Sequence, residues 1–184
     1  SLTAARKAVE EVAPRLKIRP ECRDGDALAL PFDDNSLECI YSMGVLHHVS
    51  DTEGAVAEVH RVLKPGGTCY VFLYRTASPK LLVAYGLRGV QALCDMASGR
   101  QRSLLGLVEK CNFEGALGTM LVEAFGVPVM SSYSRRGIKR LFAQFDEVDI
   151  LPCGFNWPFD AAYKRSNADG RNPIGNFFFV TARK

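Results

Sequence analysis

Two adjacent histidines, His47 and His48, are the side chains of this sequence best suited to moving a proton near neutral pH. A histidine in such a loop can deprotonate a hydroxyl or amine as that group attacks an electrophile. No Cys or carboxylate stands at ligand spacing from the pair, so no metal is expected, and one of the two is expected to point into the packing below the loop. Upstream, Asp26 is a carboxylate that can accept a hydrogen bond from an adenine amino group, with the backbone N–H of Ala27 bonding a ring nitrogen. The same residue can equally do no more than close a turn with Gly25. Ser42, Met43 and Gly44 stand where an apolar run opens into a loop, and Gly44 serves either close backbone approach or a positive φ angle. Tyr74, Arg75, Tyr133, Arg135 and Trp157 could face a pocket mouth, with packing as the alternative for each.

Positioning these groups falls to an alternation of short elements. Ala4 to Leu16 has helical spacing with Pro14 near its end, and Lys17 to Arg23 reads as a short strand whose Pro20 suits an edge, delivering Asp26. Leu37 to Tyr41 is a compact strand. Asp51 can cap a helix over Thr52 to Leu63, with Ala55, Val56, Val59, Val62 and Leu63 on one face. Pro65-Gly66-Gly67 ends that helix, and Thr68 to Tyr74 is the next strand. Two apolar, glycine-bearing stretches between Arg75 and Met130 read as helices. A helix over Ser134 to Phe145 and strands over Asp146 to Leu151 and Asn176 to Ala182 follow, the last two separated by a long loop, Pro152 to Pro173. The alternation predicts an α/β fold with a doubly wound sheet.

At 184 residues and 47% hydrophobic content, the chain suits one packed domain. A net charge of +3 from 23 basic and 20 acidic residues is too small to argue for nucleic acid. Six cysteines without Cys-x-x-Cys spacing favour a reduced, cytoplasmic protein. The N-terminal residues lack a signal-peptide pattern, and the apolar run Leu81 to Leu87 is far short of the ~20 residues of a membrane span.

Three stretches, GDALALPFDDNSLE, VLHH and EVHRVLKPGG, together resemble the small-molecule branch of the class I S-adenosylmethionine-dependent methyltransferases. The likeness runs in register from Ser1 to about Tyr74 and more loosely from Tyr133 onward. It implies a Rossmann-like core in residues 1–75, a helical lid insertion over 76–130, and a return to the core in 131–184 with a C-terminal antiparallel hairpin. It further implies that Asp26 and Ala27 hold the adenine of S-adenosylmethionine. A backbone carbonyl in Ser42-Met43-Gly44 would meet the cofactor's ammonium, with the neighbouring side chains at its sulfonium end. The acceptor implied is a small molecule, methylated with or without help from His48 or His47. Such enzymes also have an acidic-Gly-x-Gly-x-Gly loop after their first strand, and none occurs in these 184 residues. The expectation is therefore an N-terminally truncated domain, a homo-oligomer whose partner completes the sheet, or a sheet that closes up without those strands. A non-catalytic binding or oligomerisation module is the alternative function.

Overall fold

A computed structural model of the chain describes residues 2–15, 17, 20–99, 101, 121, 124–154 and 175–184. Helix α1 spans Leu2–Val12 and runs into one 3-10 turn, Ala13–Arg15. Pro14 lacks an N–H and its ring collides with the carbonyl four residues back, so α-type bonding stops before it.

Strand β1 (Leu37–Ser42), helix α2 (Thr52–Val62) and strand β2 (Leu63–Arg75) form a parallel crossover unit. The Asp51 carboxylate accepts from Gly54 N at 2.9 Å, satisfying one of the free N–H groups of the first turn. Ala55, Val56, Val59 and Val62 then face the sheet and are buried. Pro65 disfavours helical geometry at Lys64, so α2 ends at Val62 and Leu63 is already extended. The Lys-Pro-Gly-Gly segment bulges from the ladder: Leu37 pairs with Leu63, but Cys39 pairs with Thr68. Gly66 sits at φ +80°, and a Cβ on Gly67 would lie 2.9 Å from the Lys64 carbonyl oxygen and 3.1 Å from that of Glu38. Both glycines are therefore required where they stand.

The sheet order is β1-β2-β5-β4, with β4 (Glu147–Cys153) and β5 (Phe177–Arg183) antiparallel at one edge, and β5 antiparallel to β2. A two-residue strand, β3 (Ser132–Tyr133), pairs in parallel with the end of β2. One sheet face carries Cys69, Val71, Leu73, Ile150, Phe178, Val180 and Ala182, packed under α2 and α4 (Arg135–Leu141). Ser134 caps α4 by accepting from Gly137 N at 3.1 Å. The helix is shorter than the Ser134 to Phe145 of the sequence, because tight turns after Leu141 drive both Phe142 and Phe145 into the core. On the other face Tyr41, Tyr70, Phe179 and Phe72 form an aromatic ladder with centroids 4.8, 5.9 and 4.9 Å apart. Tyr41, on the β1 edge, is 69% exposed.

The expected strand over Lys17 to Arg23 is not formed in residues 20–23, which have no regular structure. Pro20 offers no donor, and no strand among the described residues runs alongside; Arg23 is instead ion-paired with Glu21 at 2.9 Å. Residues 16, 18 and 19 lie outside the described set. Of the two expected helices between Arg75 and Met130, the first is α3 (Pro79–Ser98), capped by Ser78 and closed by Gly99 at φ +65°. Most of the second, and the loop holding Trp157, lie outside the described residues. Ala84 of α3 packs with Ala124 and Phe125 in a small separate cluster. Among the described residues no helix is long and apolar enough to cross a membrane, and Cys22, Cys39, Cys69, Cys94 and Cys153 are free thiols.

Candidate functional site

The carboxyl ends of β1 and β2 lie side by side, and the loop from β1 to α2 rises between them, the position where open α/β sheets receive ligands. Ser42 is buried at the end of β1. Beyond it Met43 and Val45 are exposed, and Gly44 adopts φ +78° with open space where a side chain would stand. The chain thus leaves the sheet as a bare backbone segment flanked by exposed apolar side chains.

A single 3-10 turn, Leu46–His48, follows. The Thr52 hydroxyl donates to the Leu46 carbonyl at 3.2 Å and fixes this turn to the start of α2. His47 is buried, its Nδ1 donating to the Phe72 carbonyl at 3.2 Å and its ring 4.1 Å from that of Tyr74. His48 is half-buried and 4.2 Å from His47, ring to ring. The Nδ1 of His48 lies 2.8 Å from the Val129 carbonyl. A carbonyl only accepts, so Nδ1 carries the proton, and Nε2 of the neutral ring is left with its lone pair. Residues 129–131 brace the pair a second time, since Ser131 N donates to the His47 carbonyl at 2.8 Å.

Tyr74 is buried beneath both histidines, stacked on Phe177 at 5.0 Å, with the Lys80 ammonium over both rings at 5.5 and 5.4 Å. Arg75 pairs with Tyr133 across β2 and β3. The guanidinium groups of Arg75 and Arg135 lie 5.6 and 5.9 Å from the ring of Phe178. The histidines and Tyr74 are therefore one cluster, whereas Arg75, Tyr133 and Arg135 gather one residue further along, about Phe178. Trp157 lies outside the described residues.

Asp26 is exposed and its Oδ1 accepts from Leu28 N at 3.0 Å, closing a turn from Asp26 to Ala29. The turn role is thus the one its carboxylate performs within the chain, and its second oxygen, Oδ2, has no partner among the described residues. This turn is held against α2 by a clasp that the sequence did not single out. Glu58 accepts from Leu30 N at 2.9 Å and from Arg61 through both its oxygens at 2.8 Å. Arg61 also donates to the Leu30 and Phe32 carbonyls at 3.1 and 3.0 Å, and to Asp34 at 2.6 Å. The Arg61 guanidinium holds the Glu58 carboxyl below its ordinary range, and Glu58 with Asp34 raises Arg61. The signal was present, since Glu58 and Arg61 stand three apart in EVHRVLKPGG, one face of a helix. The Val129 carbonyl left no comparable trace, being 81 residues from His48.

Residues 1–71 match the family model of a methyltransferase domain. The demethylmenaquinone methyltransferase of Staphylococcus epidermidis is 47% identical over 57 residues, 31% of this chain and 23% of that protein. A sterol 24-C-methyltransferase of Gibberella zeae is 42% identical over 48 residues, covering 26% of this chain and 13% of that one. The chain thus spans less than a quarter of the length of either relative. A crystal structure of an S-adenosylmethionine-dependent methyltransferase from Thermotoga maritima superposes with a TM-score of 0.56 at 18% identity, covering 97% of this chain and 69% of that one. Residues 1–71 thus match a methyltransferase domain, and the chain shares the fold of a solved S-adenosylmethionine-dependent methyltransferase.

Proposed function

We propose that the chain is part of an enzyme that transfers a methyl group from S-adenosylmethionine to a small apolar molecule. The observation that carries this reading is the bare, left-handed strand exit at Met43-Gly44 directly preceding a histidine whose Nε2 is free to accept a proton. The residues present suit the cofactor's two ends. Asp26 Oδ2 and the Ala27 N–H would hold the adenine edge, and the open space at Gly44 admits the sulfonium end beside Met43. When bound, S-adenosylmethionine supplies a methyl group already activated on a sulfonium sulfur, so alignment does most of the work.

The chain's own groups then have distinct tasks. His48, fixed by Val129, accepts at Nε2 the proton released by an attacking hydroxyl or amine. His47 and Tyr74 form the floor that keeps His48 from swinging inward. Exposed Met43 and Val45 offer an apolar wall. An apolar acceptor also agrees with the names of the matched relatives, which methylate demethylmenaquinone and a sterol. Ultraviolet labelling of the chain with methyl-tritiated S-adenosylmethionine, followed by peptide mapping, tests the placement. Label is expected between Asp26 and His48, and label confined to other peptides contradicts it.

A second reading, a non-catalytic module that assembles through its sheet, is supported by the outer edge of β1. That edge has no partner among the described residues and exposes Cys39 and Tyr41. A homo-oligomer that vanished on placing a proline at Cys39 would favour it.

A further inference from the structure

The Val129 carbonyl that bonds His48 belongs to a strap, residues 127–133, lying between the histidine turn and α3. Its polar groups are used on both sides. On the side of the turn, the Val129 carbonyl accepts from His48 Nδ1 at 2.8 Å, and Ser131 N donates to the His47 carbonyl at 2.8 Å. On the side of α3, the Val127 carbonyl accepts from Arg88 Nη2 at 2.6 Å, and the Met130 carbonyl accepts from Tyr85 Oη at 3.4 Å. The two bonds to α3 therefore flank, in sequence, the one to His48. Pro128 has no N–H to give and a fixed φ, so carbonyls must hold this part of the strap. Ser132 Oγ, 3.3 Å from Tyr85 Oη, accepts from the Thr76 hydroxyl at 3.3 Å, which ties the far end of the strap to the residue after β2. Met130 also packs on the small cluster of Ala84, Ala124 and Phe125.

Tyr85 and Arg88 stand three apart on one face of α3, and both act on His48 through the strap. The bond from Arg88 is short and charge-assisted, the stronger of the two. We infer that Arg88, assisted by Tyr85, is a positioning residue for His48. Together they keep the Val129 carbonyl within hydrogen-bond length of Nδ1, so the ring proton stays on Nδ1 and the lone pair on Nε2. A drift of the strap by about 1 Å would take that carbonyl out of hydrogen-bond range. The neutral ring could then carry its proton on either nitrogen, and the form with Nε2–H cannot accept a proton there. The catalytic value of this positioning rests on the proposed role of His48 as proton acceptor in methyl transfer.

Nitrogen-15 NMR of the full chain with labelled histidines tests it, at a pH above the histidine range and with the His48 signals assigned by His48→Gln. The spectrum reports which ring nitrogen carries the proton, without cofactor or acceptor. The parent should show His48 in the Nδ1–H form. The variant Y85F/R88M should lower the ratio of the Nδ1–H to the Nε2–H form about fivefold or more, as expected when one neutral hydrogen bond is lost. Gly67→Ala, which strains the distant β2 bulge, should leave the ratio as in the parent. Should Y85F/R88M fail to fold, Tyr85→Phe at an exposed side chain is read in the same way, with a smaller fall in the ratio. The inference is overturned if the parent ring is already a mixture, if the folded variant keeps the parent ratio, or if Gly67→Ala lowers the ratio as much. Failure of the methyl-transfer reading would be seen separately, as a folded chain that binds no S-adenosylhomocysteine, and would leave these ratios unchanged.

Discussion

At the scale of single residues, the Glu58–Arg61 clasp ties the segment that follows the turn of Asp26 to α2 by hydrogen bonds, beside the packing of Ala27 and Leu30 on the core. Glu58→Gln keeps the shape but removes the charge that three donors from Leu30 and Arg61 converge on, and should lower stability by about 1–3 kcal/mol in chemical denaturation. The pH dependence follows from the direction of its shift. Folding holds the Glu58 carboxyl below its ordinary range, so the unfolded chain takes up the proton first. The clasp's contribution is therefore complete above the ordinary carboxylate range and is lost as pH falls through and below it. Glu58→Gln should flatten part of the acid limb of the stability profile, and an unchanged limb would contradict this. At His48 the expected effect is on turnover: His48→Ala should slow methyl transfer by roughly a hundredfold while leaving S-adenosylhomocysteine affinity unchanged.

At the scale of elements, glycines at two places make opposite predictions. Gly67→Ala forces a Cβ against two backbone carbonyls in the β2 bulge and should cost about 1–3 kcal/mol. Gly86→Ala in the open middle of α3 should instead stabilise by about 0.5–1 kcal/mol, since only chain entropy changes. Thermal denaturation of both variants decides. The sequence made most elements after Leu37 legible for physical reasons: short apolar runs, the Asp51 cap and the Pro65-Gly66-Gly67 stop each act locally. It overextended α4, because the competing choice, turning at Phe142 to bury two aromatic rings, is tertiary. It failed at residues 20–23, where extended residues need a neighbour that local pattern cannot supply. In the site, His47, His48 and Gly44 were legible because their chemistry is in the residue type. The brace from Val129 was not, since a backbone carbonyl can belong to any residue.

At the scale of the whole molecule, the sheet has one well-covered face, and its edge strands β1 and β4 have no strand partner on their outer sides among the described residues. Thiol reactivity reads this directly. Burial pushes the Cys69 thiol up to about 12, while Cys39 is exposed on β1. Alkylation followed by mass spectrometry should modify Cys39 rapidly and Cys69 only on unfolding; protection of Cys39 in the native chain would show the edge covered by another strand. The central claim is that the turn at Asp26 and the exit of β1 hold an adenosyl cofactor. Calorimetric titration of the chain with S-adenosylhomocysteine tests it most directly. Saturable binding, weakened about tenfold or more by Asp26→Ala, is the expected result; a folded chain that binds none, or binds equally well without the Asp26 carboxylate, would contradict it.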